Sequence, residues 1–116
     1  MTIKLIKTSS QTMLGEFEIL ESIYEKLRGL IGTTAQHRGV VLARCSSIHT
    51  CWMAYPLDVA FIDSHGVVIK SCRKLQPWHV RAARKAQWTI ERPCSMTAWL
   101  KAGDRIMFEG RIASST

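Results

Sequence analysis

Asp58-Val59-Ala60-Phe61-Ile62-Asp63 places a carboxylate at each end of four apolar residues, and the chain then turns back on itself. Ser64-His65-Gly66 supplies the turn, and Val67-Val68-Ile69 opens a second β-branched apolar run. Two such runs joined by a short glycine-containing loop predict an antiparallel strand pair. Five residues apart on a regular strand, Asp58 and Asp63 point to opposite faces, so they do not form an acid/base dyad on that strand. Asp58 follows Pro56-Leu57 at the start of the strand and is expected to accept backbone N–H bonds across a turn. Asp63 enters the Ser64-His65-Gly66 turn and is expected to make Asx-type bonds.

The flanking patterns fix the rest of the fold class. Residues 2–8 alternate, with Ile3 and Leu5 on one face, and read as an edge strand; 13–20 alternate Met13, Phe17 and Ile19 with Glu16 and Glu18. Ser22 with Glu25 forms a capping box, and Ile23, Leu27, Leu30 and Ile31 then share one helical stripe. That spacing predicts one main α-helix, weakened by Gly29 and stopped at Gly32. After Gly39 come strands at 40–43, 47–52, 58–63, 66–72, 86–91 and 104–109. Helical spacing of Val80, Ala83 and Ala86 predicts a short helix over 79–86, with a basic loop as the alternative, and Ala98 to Lys101 read as a helical turn. The expectation is an α+β, mainly β, single domain over 1–116: short antiparallel strands in a barrel-like or sandwich arrangement with one main helix.

Charge narrows the choice of partners. Between Asp63 and Glu91 there is no acidic residue, whereas Lys70, Arg73, Lys74, Arg81, Arg84 and Lys85 all fall there, interleaved with Trp78 and Trp88. Such a segment suits nucleic acid, an anionic ligand, a membrane surface or an acidic protein, although no nucleic-acid-binding motif accompanies it and a solvated basic face is the preferred reading. No apolar run approaches the roughly 18 residues of a membrane span. The alternating N-terminus predicts a strand rather than a secretory leader, hence a cytoplasmic protein with reduced thiols at Cys45, Cys51, Cys72 and Cys94. A zinc site from Cys45, His49 and Cys51 matches no standard spacing, so no metal and no cofactor are expected.

Among chemistry-bearing residues, His49 is the best titrating candidate. It shares strand parity with Cys51 and Met53, and would act with Asp58 as an oriented base if both lined a cleft. Trp52 and Met53 alternate in direction, one inward and one toward a loop or solvent. No nucleophile elbow, P-loop, dinucleotide fingerprint or His-Glu-x-x-His appears, and Ser95 beside Cys94 has no recognisable base.

Leu27-Arg28-Gly29-Leu30-Ile31-Gly32, then Ile48-His49-Thr50 with Met53, Pro56-Leu57-Asp58-Val59-Ala60-Phe61-Ile62-Asp63, Gly66-Val67-Val68, Pro77-Trp78, Glu91 with Pro93, and Gly103-Asp104 occur in this order. Over residues 20–108 the series resembles the uncharacterised DUF192 (UPF0127) family. The resemblance implies a small, mostly β domain of unknown molecular function. One departure is Glu91-Arg92-Pro93-Cys94-Ser95, where relatives usually carry Glu-x-Pro-Ala-Gly; another is the missing basic or Asn residue near Ala54-Tyr55. The expected function is a non-enzymatic accessory module that binds a small ligand or an acidic protein partner. Its surface would run along His49, Met53, Asp58, Pro77 and Trp78, with Arg73 in the basic rim. The alternatives are a small hydrolase or metal-assisted enzyme using His49 with Asp58, and nucleic-acid binding through residues 70–85.

Overall fold

A computed structural model of the protein describes residues 2–8 and 10–110. Its strands are β1 (Thr2–Lys7), β2 (Thr12–Leu20), β3 (Gly39–Ala43), β4 (Ser47–His49), β5 (Leu57–Ile62), β6 (Val68–Leu75), β7 (Val80–Ala82), β8 (Trp88–Pro93) and β9 (Ile106–Gly110), with α1 (Ile23–Arg28) between β2 and β3. Seven strands form one sheet in the order β6-β5-β8-β3-β2-β1-β9, and β4 pairs with β7 in a separate ribbon. Only β2 and β3 run parallel within the large sheet. The sheet curls until its two ends meet. Val68 N–H donates to the Asp104 carbonyl at 2.8 Å and Ile106 N–H to that of Gly66 at 2.8 Å.

Curling covers both faces of the middle strands. Every residue of β5 is buried, which is why Val59-Ala60-Phe61-Ile62 is a continuous apolar run rather than an alternation. On one face Val40, Leu42, Leu57, Val59 and Phe61 pack with Ile48, Met53 and Leu75. On the other, Val41, Ala60, Ile62 and Ile90 pack with Ile3, Leu5, Phe17, Trp99 and Leu100. Gly39 makes the crossing of β2 and β3 possible: a Cβ there would lie 2.3 Å from the Phe17 ring and 2.7 Å from the Glu91 carbonyl.

The α+β expectation is corrected: the fold is all-β, built on this curled sheet, and the expected main α-helix is cut down to the six-residue α1. The capping box forms, with Glu25 N–H donating to Ser22 Oγ at 3.0 Å. The helix nevertheless ends after six residues. Gly29 adopts φ 52°, ψ −121°, a conformation open essentially to glycine, and diverts Leu30 and Ile31 toward the sheet. The side chains of Ile23 and Leu27, half of the expected stripe, lie outside the described residues. The helix expected over 79–86 is instead β7 and a turn, because Val80, Arg81 and Ala82 pair with His49, Ile48 and Ser47. Residues 98–101 form no regular secondary structure rather than a helical turn. Finally, β1 is an interior strand, flanked by β2 and β9, and not an edge.

Candidate functional site

The β5–β8 register sorts two buried carboxyl groups onto opposite faces. Asp58 lies opposite Arg92 and Val59 opposite Glu91, so Asp58 and Arg92 share one face while Glu91 projects to the other. The Asp58 side chain is fully buried, and Arg92 Nε donates to its Oδ2 at 2.9 Å. Arg73 approaches the same oxygen at 3.6 Å, Ser95 N–H donates to it at 3.3 Å, and Lys74 N–H donates to Oδ1 at 3.2 Å. Arg92 in turn donates to the carbonyls of Thr97 and Ala98 and lies 4.3 Å over the Trp99 ring. This closed network pins the 94–99 segment to β5. Arg73 also donates to the Thr97 carbonyl, at 3.0 Å, so its guanidinium is committed inward.

On the opposite face lies a cavity of about 260 Å³ between α1, the Gly29 turn, β4 and β8, whose lining includes Lys26, Gly29, Leu30, His49, Met53 and Glu91. Glu91 is 3% exposed, and no described residue hydrogen-bonds its carboxyl or pairs with it. Burial alone pushes that carboxyl up to about 7. Gly29 lies against it, where a Cβ would come within 3.1 Å of Oε1. The Nδ1 atom of His49 is buried and without a hydrogen-bond partner. Lys26 turns its ammonium to the Ala43 carbonyl at 2.9 Å. Tyr55, half-buried beside the site, hydrogen-bonds Thr33; burial, with Glu91 adding to it, holds its phenol above the ordinary range.

The residues expected in one surface therefore occupy three places. His49 and Met53 line the cavity together, although the strand expected over 47–52 ends at His49 and a turn at Cys51 and Trp52 separates them, and Cys51 does not join the lining. Asp58 and Arg73 belong to the internal network, and the structure does not bring Asp58 to His49: no bond joins them and Asp58 does not line the cavity. Pro77 and Trp78 lie on a surface turn, with the Trp78 ring against that of Trp52 at 4.8 Å between centroids. Trp52 is exposed and Met53 buried, the alternation expected. Asp63 makes the Asx turn, accepting from His65 N–H at 2.8 Å and Val67 N–H at 3.0 Å, and these bonds hold its carboxyl below the usual range. Cys45, His49 and Cys51 do not converge: among the described residues no group of three His, Cys, Asp or Glu side chains is placed to hold a metal ion. Glu91 is the residue that sequence reasoning missed as a site. Its signal was a lone acid in the apolar strand Trp88-Thr89-Ile90-Glu91.

The architecture and cavity define a small all-β protein with a buried, unpaired carboxyl facing a cleft that opens to solvent. The chain belongs to the DUF192 family (Uncharacterized ACR), whose model matches residues 4–108. It is similar to a UPF0127 protein of Thermococcus sibiricus, 29% identical over 112 residues that cover 89% of this chain and 72% of that one. Two crystal structures share its fold at TM-score 0.72 and 18% identity. One is a protein of unknown function from Novosphingobium aromaticivorans, matched over 91% of this chain and 83% of its own. The other is from Sinorhizobium meliloti, provisionally called a transcription regulator, matched over 92% of each chain. No helix among the described residues is long and apolar enough to cross a membrane.

Proposed function

We propose that the protein is a small-ligand-binding module whose ligand enters the Glu91 cavity. The observation that supports this is the Glu91 carboxyl itself, buried without a partner among the described residues and facing a partly open cleft. Burying an ionisable group without a partner is costly, and a ligand that donates an N–H or O–H to it recovers that cost on binding. The unpaired Nδ1 of His49 offers a second polar contact in the same lining, and Leu30, Ile31 and Met53 offer an apolar wall. A volume of about 260 Å³ suits a molecule of amino-acid or nucleobase size rather than a polymer. Ligands that favour the Glu91 carboxylate should bind more tightly as pH rises toward 7, because they compete with the proton held there.

A fragment set of primary amines, amides and alcohols, screened by amide chemical-shift perturbation, tests this reading. Binding fragments should move the Gly29, His49 and Glu91 resonances and lose at least tenfold in affinity against Glu91→Ala. Fragments that cluster elsewhere, or that bind Glu91→Ala unchanged, would refute it.

A further inference from the structure

Trp52 and Trp78 stand on two turns that Thr50, itself fully buried, ties together. Thr50 Oγ1 donates to the Gln76 carbonyl at 2.7 Å and accepts from His79 N–H at 2.9 Å. The Thr50 carbonyl accepts from Met53 N–H and Trp78 N–H, each at 3.1 Å. This scaffold holds Trp52 at φ 71° and Trp78 at φ 70°, a left-handed backbone that bulky side chains rarely adopt. The indoles meet edge to face at 62° and remain 71% and 59% exposed, with Val80 beside them in sequence at 64%. Two strained turns thus hold apolar rings in water, where the hydrophobic effect alone would bury them.

The charge on this half of the chain is one-sided. Residues 26–90 contain ten Lys and Arg but only Asp58 and Asp63 as acids. Asp58 is buried in its ion pairs and Asp63 is bonded to its own turn. The exposed charges at Arg44, Lys74, Arg84 and Lys85 are therefore cationic. Proteins that take single-stranded nucleic acid stack bases on open aromatic faces along a charged groove. Here the rings already touch, leaving no slot for a base between them, and neither lines the Glu91 cavity. Val80, an aliphatic side chain, adds nothing to base stacking. Indoles with an aliphatic neighbour, and with exposed Lys74 four residues before Trp78, suit the headgroup layer of a negatively charged bilayer, where amphipathic rings settle and Lys and Arg meet lipid phosphates.

We propose that Trp52, Trp78 and Val80, with the cations of residues 74–85, dock the protein peripherally on an anionic lipid bilayer. The patch borders the Glu91 cavity, whose lining Val80 shares, but neither indole enters that lining. The full chain is tested by co-sedimentation with vesicles of phosphatidylcholine and phosphatidylglycerol at 3:1, and with phosphatidylcholine alone. Binding is expected on the anionic vesicles only, to weaken as salt rises, and to be accompanied by quenching of tryptophan emission by brominated lipid. The Trp52→Ala/Trp78→Ala pair should lose at least tenfold in partitioning. Arg84→Glu/Lys85→Glu, which leaves the indoles and their Thr50 scaffold intact, should lose at least fivefold per charge removed. Glu91→Gln should bind vesicles as the parent does, which separates this outcome from that of the cavity. Absent or salt-independent vesicle binding, or partitioning unchanged in either double variant, overturns the proposal. So does saturable binding of a thymidine oligonucleotide that quenches Trp52 and Trp78 while vesicles go unbound; that result would assign the patch to single strands.

Discussion

Asp58 on β5 and Glu91 on β8 are buried carboxyl groups one step apart in the same strand register, and their surroundings differ in almost every respect. Asp58 has two guanidinium groups and two backbone N–H groups around its oxygens. Glu91 has an apolar wall, a glycine and a cavity. Strand alternation alone produces the split, since adjacent residues Glu91 and Arg92 must face opposite sides of β8. A charge can be buried when its partners are buried with it; without them the group shifts its proton equilibrium instead. Asp58 therefore reads as architecture and Glu91 as a place where the fold accepts a cost.

The largest effect should come from breaking the satisfied site. Asp58→Ala leaves Arg92 buried without its counter-ion and should destabilise the fold by about 3–5 kcal/mol in urea denaturation at pH 7. A loss under 1 kcal/mol would mean that the network contributes little and would erase the contrast. Glu91→Gln should act in the opposite direction. The unfolded chain releases the Glu91 proton near 4.5 and the folded chain near 7. The folded state thus holds the extra proton between these values, so parent stability falls as pH rises from 4.5 to 7, and the full penalty applies above 7. The variant should match the parent at pH 4 and exceed it at pH 8 by on the order of 3 kcal/mol. Parallel stability–pH curves for the two proteins would show that Glu91 is not the titrating group. Next in size, Gly39→Ala drives a methyl into the Phe17 ring and the Glu91 carbonyl and should cost about 1–3 kcal/mol. If β8 yields to the methyl, the variant should also disturb the amide resonances around Glu91 more than those around Asp58.

What the sequence disclosed follows from how locally each feature is determined. The β5–β6 pair was legible because Asp63, Ser64 and Gly66 carry the turn within themselves, down to the two N–H bonds on the Asp63 carboxylate. His49 and Met53 do meet in the cavity, but through the turn at Cys51 and Trp52 rather than through parity along a strand, since β4 ends at His49 and Cys51 does not join them. The helix failed at Gly29: an apolar stripe records spacing, but not that one residue turns to φ 52° to sit against a strand sixty residues away. Residues 79–86 failed likewise, because pairing of Val80 with His49 outweighed a weak helical spacing. Asp58 was read correctly as a structural group but not as an ion-pair partner of Arg92, 34 residues on. Glu91 was passed over as a motif letter. Its importance lies in what does not surround it, and only the assembled sheet determines that.

The smallest effect sharpens the comparison most, because it lies within the satisfied site. Arg73 and Arg92 both approach Asp58 Oδ2, but Arg92 does so at 2.9 Å with a side chain 10% exposed, and Arg73 at 3.6 Å with one 45% exposed. Solvent screens the outer pair, so its Coulomb energy is largely offset. Arg73→Met keeps much of the apolar stem over the 95–97 segment and removes the charge. It should cost about 1 kcal/mol or less, and the cost should shrink further in high salt. Arg92→Met removes the inner partner and strands Asp58, so it should approach the Asp58→Ala loss and remain insensitive to salt. Equal losses for the two arginine variants would show that both guanidinium groups are needed to hold Asp58. A large gap would locate the satisfaction of the buried charge in the one cation that is itself buried.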